Sequence, residues 1–281
     1  MISVNITTTL DRADLCAQAV FSIINQTLTP DKICIWLSKE PYLRDKGFTS
    51  PPTWVNELNK IKDIIEVHWT ENTGPYRKLL PALRSATDSD LVITADDDIV
   101  YGRNWLHALI LEHKKNPAKI IAARVRKTQT NILGKRKSYI HWPIIKTRAE
   151  VSAGFVVTHG GGAIFQRRLI SERLINDDSY LSICPTTDDL WYSMLIKESN
   201  SSVLVCPEAL SELFFIEHDT GLENENTLIT KKLTTKIYQK TVLNLLGWLG
   251  LNICNNDISA KKIKAHLDTN SYQVFNEGAK Y

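Results

Sequence analysis

The chain has 281 residues, 43% of them apolar and 23% charged, with a net charge of +3. That length buries a sizeable core and that balance excludes a disordered chain. So small a positive charge, with no basic stripe interleaved with aromatics, excludes nucleic acid as the expected partner.

The five cysteines, Cys16, Cys34, Cys184, Cys206 and Cys254, are odd in number and widely spaced, with no CxxC pair or Cys/His zinc pattern. They read as buried thiols of a reducing compartment. The stretch Met1-Ile2-Ser3-Val4-Asn5-Ile6 lacks the basic flank and apolar core of a signal peptide, and no apolar run approaches the ~18 residues of a membrane span. A cytosolic protein is expected.

Ser3 to Thr9 is rich in β-branched residues and predicts a first strand. Asp11 is placed to cap a helix running to Thr27, in which Cys16, Ala19, Val20, Ile23 and Ile24 recur at helical spacing. Pro30 ends it and Lys32 to Leu37 predicts a second strand, so the opening unit is a parallel pair joined by a right-handed crossover. The polar stretch Ser38 to Pro52, with Pro41, Gly47, Pro51 and Pro52, is loop. A helix from Thr53 to Ile61, a strand from Ile64 to Trp69 and a turn at Asn72-Thr73-Gly74-Pro75 follow. Tyr76 to Ala86 predicts a helix, with Pro81 marking either a kink or a late start. Leu91 to Ala95 is the next strand, Trp105 to Lys115 a helix and Lys119 to Arg126 a strand. Val156 to Phe165 reads as one strand bent at Gly160-Gly161-Gly162, with His159 beside the glycines. Alternation of strand and helix makes the fold α/β.

The strand from Leu91 stops in three consecutive carboxylates, Asp96-Asp97-Asp98. Asp favours turns and helix N-termini, so a solvated acidic turn explains such a triplet. A divalent cation explains it as well, because Mg²⁺ and Mn²⁺ take oxygen ligands and reach phosphate-bearing substrates through one or two carboxylates. Position favours the cation, since ligands of open α/β sheets bind outside the carboxyl ends of the strands. The segment Pro185-Thr186-Thr187-Asp188-Asp189-Leu190-Trp191 holds a second acidic site, at the start of a helix whose apolar stripe is Leu190, Trp191, Met194 and Leu195. Carboxylates in a first turn suit the helix dipole without any further role. Two separated carboxylate sites also suit a division of labour, in which one holds a metal and the other takes a proton.

The opening unit from Ser3 to Thr27 is followed in order by Gly74-Pro75-Tyr76-Arg77-Lys78, Asp96 to Tyr101, Gly161-Gly162 and Pro185 to Trp191. Over residues 2 to 217 this order resembles the GT-A nucleotide-sugar glycosyltransferases, in particular family-2-like bacterial enzymes of surface-polysaccharide synthesis. The resemblance implies a Rossmann-like, mixed but mainly parallel sheet flanked by helices, with a helical C-terminal extension. It divides the chain into a catalytic domain over 1–222, with a nucleotide-sugar-binding half (1–100) and an acceptor-binding half (101–222), and an extension over 223–281.

The same resemblance implies the chemistry. Mn²⁺ or Mg²⁺ is expected on Asp96 and Asp98, the ends of the DxD motif, with His218 where some relatives supply a metal-binding histidine. The donor, most simply a UDP-sugar, is expected near Thr8, Thr9, Asp11, Arg12, Ser38, Glu40, Lys78, Asp96 and Asp97, with Asp97 orienting the sugar or ribose. Asp189 is the expected base for an acceptor hydroxyl, Asp188 its orienting neighbour, and inversion at the anomeric carbon follows from attack opposite the leaving group. Coupling between the two carboxylates is expected to bring one of them nearer neutrality. Gly161, Gly162 and Trp191 are expected on the acceptor, a glycan or a lipid-linked oligosaccharide.

Two departures stand out. The turn Thr8-Thr9-Leu10-Asp11 lacks the family's aromatic, and the Asp that follows strand two in many relatives is missing, leaving Ser38 or Glu40 as substitutes. A sugar nucleotidyltransferase is the nearest alternative, but Thr7 to Arg12 contains no glycine for its phosphate loop. A non-catalytic carbohydrate-binding protein on the same fold is the other. Lys231-Lys232, Lys236 and Lys240 lead into apolar Val242 to Leu251. This suits either peripheral contact with an anionic membrane through residues 231–251 or a helix covering the catalytic core.

Overall fold

The computed structural model describes residues 1–217 and 239–277. Burial with a period of two builds its main sheet. In β2 (Lys32–Leu37), Cys34 and Trp36 enter one core while Ile33, Ile35 and Leu37 enter the other. β4 (Leu91–Thr94) divides Val92 from Ile93 in the same way. Strands covered on both faces carry near-continuous apolar runs.

The other strands of this sheet are β1 (Ile2–Thr7), β3 (Ile65–Trp69), β6 (Ile120–Ala122), β8 (Glu150–Val151), β10 (Ala163–Phe165) and β11 (Val203–Val205). Their order is β3-β2-β1-β4-β10-β6-β11-β8. The first four are parallel, β10 runs antiparallel between β4 and β6, β6 and β11 are parallel, and β8 is an antiparallel edge. Helices α1 (Ala13–Ile24), α2 (Trp54–Asn59) and α4 (Trp105–Lys115) cover one face. The other is covered by α3 (Leu80–Ser85), by the short helices Glu172–Ile175 and Tyr180–Ile183, and by Asp188–Glu198. Cys254 and Ile263 bring the C-terminal helix Asn255–Glu277 against the same core. The fold is therefore the mixed, mainly parallel, helix-flanked sheet expected, with C-terminal helices.

Three local expectations are corrected. A 3₁₀ turn, Leu10–Arg12, precedes α1, and Asp11 pairs at the surface with Lys46 at 2.8 Å instead of capping the helix. Gly74–Lys78 is likewise a 3₁₀ turn, so the helix begins late, which is one of the two roles expected of Pro81: it lies in the first turn of α3, where no backbone donor is needed. The bent strand over Val156 to Phe165 is two strands in different sheets: β9 (Phe155–Val157) pairs with β7 (Val125–Lys127), and β10 joins the main sheet. Gly162 permits the crossing at φ +100°, where a Cβ would stand 2.5 Å from the Trp105 ring. Among the described residues no helix is long and apolar enough to cross a membrane.

Candidate active site

Thr8 follows β1, Ser38 follows β2 and the acidic triplet follows β4, so three parallel strands open at one crevice. The triplet does not present its carboxylates alike. Asp97 turns inward, accepting a hydrogen bond from Thr8 Oγ1 at 2.6 Å and pairing with the Arg12 guanidinium. Burial pushes its pKa up to about 7; the Arg12 charge opposes that shift and the Asp98 charge adds to it. The side chains of Asp96 and Asp98 are 35% and 26% exposed against 8% for Asp97, so the outer two face the crevice. Arg12 also holds Asp98 at 2.9 Å. The chain then enters β5 (Ile99–Tyr101), whose Tyr101 hydroxyl accepts the Asp96 N–H at 2.8 Å and donates to Gly160 O at 2.6 Å.

Lys78 joins the two acidic sites. Its ammonium lies 2.6 Å from Asp96 and 3.0 Å from Asp188, with the side chain only 6% exposed. Burial alone would lower its pKa, but Asp188 and Asp96 outweigh burial and raise it well above the ordinary value. Asp188 and Asp189 head the helix Asp188–Glu198. Burial raises the pKa of Asp188 despite Lys78, with Asp189 and Asp96 adding to the rise. Asp189 behaves oppositely. Burial would raise it, but hydrogen bonds from His159 and the nearby Lys78 charge leave its pKa below the ordinary carboxylate value. Its Oδ1 accepts the His159 backbone N–H at 2.9 Å and faces His159 Nδ1 at 3.2 Å. That carboxylate fixes the Nδ1–H tautomer of a ring buried beside Phe165 and Tyr192. Asp189 keeps 31% of its side chain exposed, so it combines a fixed orientation with access.

A third cluster underlies the crevice. Buried Arg77 donates to Ser38 Oγ at 2.9 Å, Thr8 O at 3.2 Å and Gly74 O at 3.1 Å, and pairs with Asp45 at 2.9 Å. Asp45 also accepts from the backbone N–H of Leu10 and Gly47 and from Asn72 Nδ2. Asp45, on the loop beyond β2, thus organises these loops from within.

These clusters revise several residue assignments. Asp97, Ser38 and Lys78 spend their polar atoms on protein partners. Thr8 braces Asp97, and Thr9 O anchors the Arg12 turn at 3.0 Å. Glu40 is exposed on the loop beyond β2, and Asp11 is held at the surface by Lys46. Trp191 is fully buried, its ring near Tyr180 and His266, leaving no face for a sugar. Gly161 and Gly162 are buried too, and the Trp105 indole N–H donates to Gly161 O at 2.8 Å. Gly160 is the glycine at the crevice, where a Cβ would stand 2.0 Å from Asp96 Oδ2. His218 lies outside the described residues.

Asp96 and Asp98, partly exposed on either side of buried Asp97, suit a hard divalent ion that completes its shell with phosphate oxygens and water. Among the described residues the triplet forms no closed protein cage; the three converging ligand groups are Cys34, Glu66 and His68, on β2 and β3. The sequence model described as Glycosyl transferase family 2 matches residues 5–174, more than half of the chain. The chain belongs to that family. The match spans the triplet, Lys78 and the glycines and ends before Asp188 and Asp189. No curated protein matches the chain. Among solved structures it is similar to the crystal structure of S. aureus TarS 1-349, at 14% identity and a TM-score of 0.42, over 73% of this chain and 57% of that one. This chain thus spans little more than half the length of that one.

Proposed function

We propose that this glycosyltransferase moves a sugar, with inversion, from a nucleoside-diphosphate sugar, in the first instance a UDP-sugar, to a hydroxyl of a surface glycan or lipid-linked oligosaccharide. What supports this reading most is Asp189, a partly exposed carboxylate kept ionised by His159 and tied through Asp188 and Lys78 to the triplet. Mn²⁺ or Mg²⁺, held by Asp96 and Asp98, would neutralise the departing diphosphate as a Lewis acid. The acceptor oxygen bonds to the anomeric carbon as the bond to the diphosphate breaks, and the hydroxyl proton passes to Asp189. Arg12 and Lys78 hold the acidic side chains in place while this happens.

Nucleotide sugars with Mn²⁺ are expected to raise the melting temperature, and to do so less without the metal. A ligand at about 100 times its Kd stabilises the native state by ~2.7 kcal/mol. No shift with any UDP- or GDP-sugar would overturn the donor assignment.

His159 is a positioning residue for Asp189. His159→Phe keeps the ring packing and the backbone hydrogen bond but loses the ring's donor; a bond to a charged group is worth about 1.5–3 kcal/mol, so a fall in kcat of up to about 100-fold is expected if that energy orients the base. The sign of the pH effect follows from the depressed pKa of Asp189. Losing a bond that lowers it moves the acid limb of kcat to higher pH. An unmoved limb in a folded variant would remove the positioning role.

A further inference from the structure

Residues 127–148 hold six lysines and arginines and no aspartate or glutamate, and residues 239–256 hold no acidic residue either. The fold joins these two stretches. After β7 the chain doubles back: Lys137 N–H donates to Gln129 O at 2.8 Å, Thr130 and Arg136 form an antiparallel bridge, and Asn131 N–H donates to Lys135 O at 2.8 Å. Asn131 Oδ1 accepts the backbone N–H of Leu133 and of Lys135, each at 3.0 Å, and Gly134 closes the turn at φ +74°. The tip is held by its own hydrogen bonds, yet Ile132 and Leu133 stand 88% and 69% exposed on it.

This hairpin is braced on the helix Asn244–Trp248. Ser138 N–H donates to Gly247 O at 2.9 Å, Asn131 Nδ2 to Trp248 O at 3.3 Å, and the Lys137 ammonium lies 5.8 Å from the Trp248 ring centre. Two glycines permit the approach: a Cβ at Gly247 would stand 3.0 Å from Ser138 Cβ, and one at Gly250 3.0 Å from Arg136 O. The helix and the turn after it expose Leu245, Leu249 and Leu251. Single exposed leucines are ordinary, but aliphatic tips on a hydrogen-bonded turn, braced on a segment that exposes three more and drawn from stretches without an acidic residue, are not.

We infer that hairpin 130–136 and segment 244–251 form a docking surface for an anionic lipid bilayer. Aliphatic side chains enter the acyl boundary while Lys135, Arg136 and Lys137 lie at the lipid phosphates. A second copy of the chain fits poorly, because it would set the same positive charge against itself. The surface reaches the acceptor end of the crevice: Asn255 Nδ2, four residues past Leu251, donates to Thr186 Oγ1 at 3.0 Å, just before Asp188 and Asp189. Presentation of a lipid-borne acceptor there rests on the proposed transfer, whereas binding to vesicles does not.

The test is flotation of the full chain with phosphatidylglycerol/phosphatidylcholine vesicles against phosphatidylcholine alone. The chain is expected to float with the anionic vesicles only, and less at high salt. The surface double variant Ile132→Ser with Leu133→Ser is expected to lose binding by about tenfold or more with the melting temperature unchanged. Failure of the full chain to float overturns the proposal, as does equal flotation of the variant. A dimer that this variant dissociates also overturns it, by assigning the surface to a second copy. None of these outcomes bears on nucleotide-sugar binding, so the two readings fail separately.

Discussion

Asp189→Asn is expected to lower transfer by about 10²- to 10⁴-fold, the usual contribution of a positioned general base, while nucleotide-sugar binding stays as in the parent. The asparagine Oδ1 can still accept both His159 hydrogen bonds, so the helix start and the ring keep their places and the loss falls on proton acceptance. In the parent, the depressed pKa of Asp189 keeps the carboxylate ionised at every pH above the ordinary carboxylate range, so the limb of kcat that Asp189 sets is expected to lie in acid. Asp188→Asn is the control. Asp188 is more buried and belongs to the Lys78 pair, so its replacement is expected to act on stability more than on kcat. Single-turnover transfer and donor titration separate the two effects. Retained turnover in the Asp189 variant would move the base elsewhere.

Where one element alone decides its conformation, it was legible in the sequence. Lys32 to Leu37 and Trp105 to Lys115 form as predicted, because a doubly buried strand and an amphipathic helix each carry their own period. The region from Val156 to Phe165 does not decide for itself. Its apolar run continues through a change of sheet, and that change depends on Trp105 packing where Gly162 has no Cβ and on the partner strands β6 and β7 parting at Ala123 and Arg124. The glycines announced a special backbone, but not which neighbour required it.

The candidate site divides the same way. Strand ends are sequence properties, and they brought Thr8, Ser38 and the triplet to one crevice. Which way each carboxylate faces is a property of the partners. Arg12 and Thr8 draw Asp97 inward across 85 and 89 residues, Lys78 reaches Asp96 and Asp188, and Arg77 takes Asp45, which no local pattern sets apart from other loop acids. The expected coupling of Asp188 with Asp189 also has a direction that only the partners fix: Asp188 moves up with burial and Asp189 moves down with His159. A Gly-Pro turn followed by two cations was the available signal for Arg77 and Lys78, but it could not say that both face inward.

Lys78→Met carries the largest stability effect expected of a single change. Methionine keeps the length of the side chain but removes the ammonium between Asp96 and Asp188, and breaking a buried pair by deleting one partner costs about 3–5 kcal/mol. Against the ~5–15 kcal/mol of a typical domain, that is a large share. The loss has a pH signature that simple cavity formation lacks. Asp188 already has a folded-state pKa raised above its unfolded value, so its ionisation costs stability as pH rises from the unfolded value to the folded one, and that cost is complete above it. Without Lys78 the pKa rises further and a proton takes over the ammonium's role, so the deficit relative to the parent is expected to be smaller in mild acid than above neutrality. Urea unfolding of parent and variant on both sides of neutrality measures this directly. Adding Asp188→Asn to Lys78→Met should recover part of the loss at high pH, because it removes the charge left unpaired. A deficit equal at both pH values, and unmoved by the second change, would mean that Lys78 contributes packing alone and that the two acidic sites are not joined through its charge.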